Sequence, residues 1–120
     1  MKRYFIKWIR DAAKSSYSKK DSCEICGATE ELDFHHYFSL SELVHAWEKL
    51  NGIVSSDEEA IQQRNRFIDT HRYELYDATV TLCNAHHMKL HSIYGKNPRL
   101  HTAHKQEAWV KLQREKNGLV

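Results

Sequence analysis

Four metal-capable side chains, Cys83, His86, His87 and His91, crowd into nine residues of the stretch 82–95, LCNAHHMKLHSIYG. No other stretch limits the fold so strongly. Drawn as a helix, His87 and His91 stand four residues apart on one face and can grip a single ion. Adjacent helical positions point about 100° apart. His86 therefore looks elsewhere and can pair with Cys83. One short helix can serve two metal sites, one on each side.

Both sites need partners from further up the chain. Cys23-Glu24-Ile25-Cys26-Gly27 is a Cys-x2-Cys knuckle whose glycine permits the tight turn beneath a metal. With Cys83 and His86 it completes a tetrahedral Cys3His set, the arrangement of a closed structural zinc site. His35 and His36 lie between the two halves, after the run Leu32-Asp33-Phe34. On an extended segment these neighbours face opposite sides. One can join His87 and His91 on an ion while the other stays free for proton chemistry.

A chain of 120 residues makes one domain, with a core that is marginal without help. Structural zinc supplies such help, on the order of 10 kcal/mol in small modules. Three cysteines argue against a complete disulfide framework and for reduced, metal-binding thiols. No apolar run is long enough for a membrane span or a signal peptide, so the expectation is a soluble, cytoplasmic protein.

Net charge is only +2, yet it is segregated. Residues 1–20 carry seven Lys/Arg against one acidic residue, residues 21–77 four against thirteen, and residues 78–120 seven against two. Basic ends around a metal centre suit a polyanion such as DNA.

In chain order, residues 2–18 read as an amphipathic helix with Phe5, Trp8, Ile9, Ala12 and Ala13 inward. Arg3, Lys7, Arg10 and Lys14 form a basic stripe on it, a candidate phosphate contact, with Lys89, Lys96 and Arg99 as further candidates. Residues 32–36 read as a first short strand. Ser39 with Glu42 reads as a capping box opening a helix with Leu40, Leu43, Val44, Trp47 and Leu50 inward. Ser55 or Ser56 caps a third helix with Ala60, Ile61, Arg64, Phe67, Ile68 and His71 on one side. His45 and His71 read as packing or surface histidines. Residues 78–82 alternate and read as the second strand. The helix that follows has Met88, Leu90 and Ile93 as its apolar positions. Thr102 caps a last helix with a core stripe of Ala108, Trp109 and Leu112.

Taken in order, Cys23-x2-Cys26, Phe34-His35-His36 and Leu82-Cys83-x2-His86-His87-x3-His91 resemble the HNH endonucleases of ββα-metal fold. Tyr94-Gly95-Lys96-Asn97-Pro98 and the helical insert resemble small freestanding phage-type members, homing endonucleases among them. The resemblance implies an α+β fold: a zinc-stabilised finger at 21–95, a helical insert at 39–76, a basic N-terminal helix at 1–20 and a basic C-terminal helix at 96–120. It implies DNA hydrolysis with His36 as general base, in the host cytoplasm if the protein is phage-encoded. His35, His87 and His91 would hold one divalent ion, magnesium or manganese, with zinc or nickel as alternatives. The zinc at Cys23, Cys26, Cys83 and His86 would be structural. One departure stands out: the family asparagine that orients the base falls at Ala78, with Asp77 next door as a stand-in. That loss keeps a second reading open, a zinc-stabilised nucleic-acid-binding module without catalysis.

Overall fold

The computed structural model describes residues 2–119, with side chains from Phe5 onward. The protein is a small α+β fold in which one two-stranded antiparallel sheet is surrounded by helices. Helix α1 (Lys2–Ala13) runs into a 3-10 turn, Lys14–Ser16, instead of continuing to residue 18. It stops there because Tyr17 turns extended (φ −72°, ψ 134°) and lays its ring on Phe34, 4.7 Å between centroids.

Strand β1 (Leu32–His36) has the bounds its sequence suggests, and β2 (Thr79–Cys83) lies one residue later than the alternation suggests. Their register pairs Leu32 with Cys83, His35 with Val80 and His36 with Thr79. Ala78 stays outside the strand because it closes the preceding turn, donating from its N–H to the Tyr73 carbonyl at 2.8 Å. Between the strands lie α2 (Leu40–Asn51), α3 (Asp57–Thr70) and a π-helical turn, Tyr73–Asp77. Helix α4 (Asn84–Tyr94) follows β2 directly, and a 3-10 turn, Leu100–Thr102, leads into α5 (Ala103–Lys116).

Two hydrophobic cores result, bridged by Phe38, which packs against both. One joins Phe5 and Ile9 of α1 to Leu43, Val44, Trp47, Phe67 and Leu75 of the insert. The other joins the sheet and the Cys23–Ile25 loop to Leu90 of α4 and to Ala103 and Val110 of α5. The molecule is long for its mass, 50 × 26 × 20 Å. No helix among the described residues is long and apolar enough to cross a membrane.

Several expected faces turn differently. Ser39 makes no side-chain cap, and Glu42 points toward Arg99 (4.0 Å), so the capping box does not form. Ser56 does cap α3, accepting from the Glu59 N–H at 3.2 Å, while Glu59 reaches back to Ser55. Leu50 and Ile61 of the expected inward faces, and Ala12 of α1, are exposed. On α4 only Leu90 is buried among the apolar positions, and Met88 and Ile93 face out, since histidines occupy the inward side. The buried stripe of α5 is Ala103, Gln106 and Val110; Trp109 is half-buried, and Ala108 and Leu112 are exposed. Thr102 does not cap α5 by its side chain, and its hydroxyl donates to the Arg99 carbonyl at 2.7 Å.

Candidate metal centres

The knuckle is shaped before any ion is considered. Gly27 adopts φ +75°, a conformation costly for other residues, and its N–H bonds the Cys23 carbonyl at 2.9 Å. The Cys23 N–H returns to the Ala28 carbonyl at 2.8 Å. The Glu24 N–H bonds the Thr81 carbonyl at 2.9 Å, which ties the loop to β2 beside Cys83. The donor atoms of Cys23, Cys26, Cys83 and His86 then all lie within 4.8 Å of one another.

The Cys26 and Cys83 sulfurs are 3.9 Å apart, and Cys83 Sγ is 3.2 Å from His86 Nδ1. All three thiols are free. Two sulfurs sharing a tetrahedral zinc sit about 3.8 Å apart, so this spacing fits an ion and not a disulfide. Burial raises the Cys23 thiol, but the N–H groups of Cys83, Cys26 and Ile25 outweigh it and hold the thiol below its usual value. At Cys26 the Ala28 N–H lowers the thiol, while burial and the Cys23 and Cys83 sulfurs push it up on balance. One easy thiolate crowded by two more sulfurs is a donor set that a cation relieves.

On the other side of α4 a second group forms. The ligand atoms of His35, His87 and His91 also lie within 4.8 Å of one another. His35 Nδ1 is 3.2 Å from His87 Nε2, which is 3.0 Å from His91 Nε2. Two imidazole nitrogens on one ion stand about 3.0–3.4 Å apart for angles between octahedral and tetrahedral, so these distances fit. The far nitrogen of each ring is held by an oxygen. His35 Nε2 meets Gln106 Oε1 at 2.8 Å, His87 Nδ1 meets Asp33 Oδ2 at 3.0 Å, and His91 Nδ1 meets the Gly95 carbonyl at 2.7 Å. An oxygen behind each ring turns the opposite lone pair inward, the arrangement that orients metal-bound histidines. Burial, reinforced by the neighbouring rings, pushes His35 down to about 3, so it stays neutral as a ligand must.

His36 takes the other face of β1, as the alternation of a strand requires. Its Nε2 donates to the Leu75 carbonyl at 3.0 Å, inside the π-helical turn. Tyr17 and Phe34 flank the ring at 4.9 and 5.1 Å. Burial lowers its pKa, the Leu75 bond opposes this, and the Arg10 guanidinium of α1 lowers it further.

A family model for the phage T5 nicking endonuclease, described as the nicking endonuclease family, matches residues 1–118. The chain belongs to the nicking endonuclease family. No solved structure matches it. The match takes in α1 and nearly all of the chain through α5 as well as the sheet and α4.

The seven expected ligands thus fall into the two expected groups. Where Asp77 was expected beside His36, the bond to its Nε2 is made by the Leu75 carbonyl of the π-helical turn. Lys7 and Arg10 on α1 and Lys14 in the 3-10 turn after it are exposed, with Lys7 paired to Asp11 at 2.7 Å; the Arg3 side chain lies outside the described residues. Lys89, Lys96 and Arg99 are exposed. Sequence reasoning missed Asp33, Gln106 and the two carbonyls. Asp33 had a signal: it lies two residues before His35 on a strand, hence on the same face. Asn84 steadies it, Nδ2 donating to Asp33 Oδ2 at 3.2 Å.

Proposed function

We propose that the protein is a metal-dependent DNA endonuclease of the HNH type, a ββα-metal finger with a helical insert, that hydrolyses one strand of duplex DNA. The whole chain acts as a single nuclease domain. Cys23, Cys26, Cys83 and His86 hold a structural zinc, a closed set with no position for water. His35, His87 and His91 hold the catalytic ion, magnesium or manganese by availability, with zinc or nickel suited by softness. One observation carries the reading: adjacent histidines on β1 serve opposite faces, one in a three-imidazole cluster and the other oriented singly by a carbonyl.

An ion held by His35, His87 and His91 would supply charge neutralisation to the phosphate and the departing 3′ oxygen. The chain's own groups do the rest. With Nε2–H held by the Leu75 carbonyl, the His36 lone pair is on Nδ1, which takes a proton from water as its oxygen bonds to phosphorus and the P–O3′ bond breaks. Because burial and Arg10 keep His36 below the ordinary imidazole value, the ring is neutral and ready to accept at neutral pH. Lys7 and Arg10 on α1, with Lys14 in the turn that follows, are the candidate phosphate contacts.

Conversion of supercoiled plasmid to open circles with magnesium, manganese or nickel tests the proposal. Open circles that disappear with EDTA and with His36→Ala are expected. DNA binding without any cleavage under all three ions would leave only the non-catalytic binding module.

A further inference from the structure

We infer that Gln106 is a positioning residue for the three-histidine site, fixing the His35 tautomer so that its Nδ1 lone pair faces the ion. This rests on reading His35, His87 and His91 as ligands. Gln106 is fully buried on α5, 71 residues from His35 in sequence. A buried primary amide is tolerated only when its donors and acceptor are met.

Here all three contacts are made, and they leave the amide one orientation. The Tyr37 carbonyl, 3.0 Å away, can only accept, so the NH2 must face it. The Thr102 hydroxyl spends its proton on the Arg99 carbonyl at 2.7 Å and therefore accepts the second amide hydrogen at 3.0 Å. Oε1 is left facing His35 Nε2 at 2.8 Å. A carbonyl oxygen cannot donate, so the proton between them is on Nε2. Neutral imidazole carries one N–H, which leaves Nδ1 bare, 3.2 Å from His87 Nε2.

The other two ligands are oriented without α5, His87 by Asp33 on β1 and His91 by the carbonyl at the end of its own helix. His35 is oriented from α5. A methionine of similar volume would pack as well, but it would supply no acceptor to His35 and no donor to Tyr37. Loss of such an orienting partner typically weakens metal binding about 10–100-fold.

The test uses the full chain carrying one zinc, with Gln106→Met and Gln106→Glu. Long-range proton–nitrogen correlation on histidine-labelled protein reads the His35 tautomer, and calorimetric titration with nickel reads the site. Wild type should show Nε2–H on His35. Gln106→Met should lose that preference and bind nickel about 10–100-fold more weakly at unchanged zinc content. Gln106→Glu, which keeps an oxygen for His35 but repels the Tyr37 carbonyl, should keep the tautomer even if it is less stable. Wild-type tautomer and nickel affinity in Gln106→Met would overturn the inference. Should Gln106→Met not fold, loss of the Nε2–H form in Gln106→Glu would overturn it equally. Equal nickel affinity in wild type and His35→Ala would instead bring down the three-histidine reading beneath it.

Discussion

His35 and His36 are chemically identical neighbours, and their surroundings alone divide the work between them. His36→Ala should lower the nicking rate by about 10²–10⁴, the usual worth of a general base, while nickel titration stays as in wild type. His87→Ala or His91→Ala should weaken the titration instead, and excess metal should restore part of their rate but none in His36→Ala. Metal rescue of His36→Ala would exchange the two roles. The base works only when neutral, so rate should rise with pH, with a midpoint below about 6.5 because burial and Arg10 hold His36 down. Arg10→Gln should move that midpoint up, and Asp77→Asn should leave it alone, since the Leu75 carbonyl is the orienting partner. In the metal-free chain both imidazoles titrate lower folded than unfolded. The unfolded chain therefore takes up more protons below about pH 6.5, and stability present above that pH is lost as pH falls, for His35 down toward about 3.

The elements around these residues differ in how far the sequence announced them. Donor spacing and strand alternation are carried by residue type, so β1, the knuckle and the grouping of the Cys and His donors could be read directly. The α5 stripe could not, because a glutamine reads as polar until its hydrogen-bond partners are known. Nor could the π-helical turn, whose contribution to the site is a backbone carbonyl that every residue possesses. Met88 and Ile93 misled because α4 spends its inward face on histidines. Cys23→Ser or Cys83→Ser should lose zinc and unfold or aggregate, since the site holds the 23–28 loop against β2 and α4. His36→Ala should leave far-UV circular dichroism and the melting point near wild type. Full zinc content and stability in Cys83→Ser would refute the structural role.

At the scale of the whole molecule, charge is segregated along the sequence, basic at 1–20 and 78–120, and α1 brings the Arg10 guanidinium near His36, so α1 is the basic element to meet a polyanion there. Neutralising Lys7 and Lys14 together should weaken DNA binding alike across sequences and flatten the logarithmic salt dependence by about one unit per lost contact. An unchanged slope would make the stripe an ordinary solvated face.

The brace from α5 to His35 also sets an order in time. A nascent chain ending before Gln106 already contains all seven candidate ligands and the base, yet lacks the oxygen that aims one of those ligands and the Val110 contact that packs beneath the sheet. A growing polypeptide thus holds all the candidate donors before it holds the group that aims one of them. That group comes with α5, the last helix among the described residues.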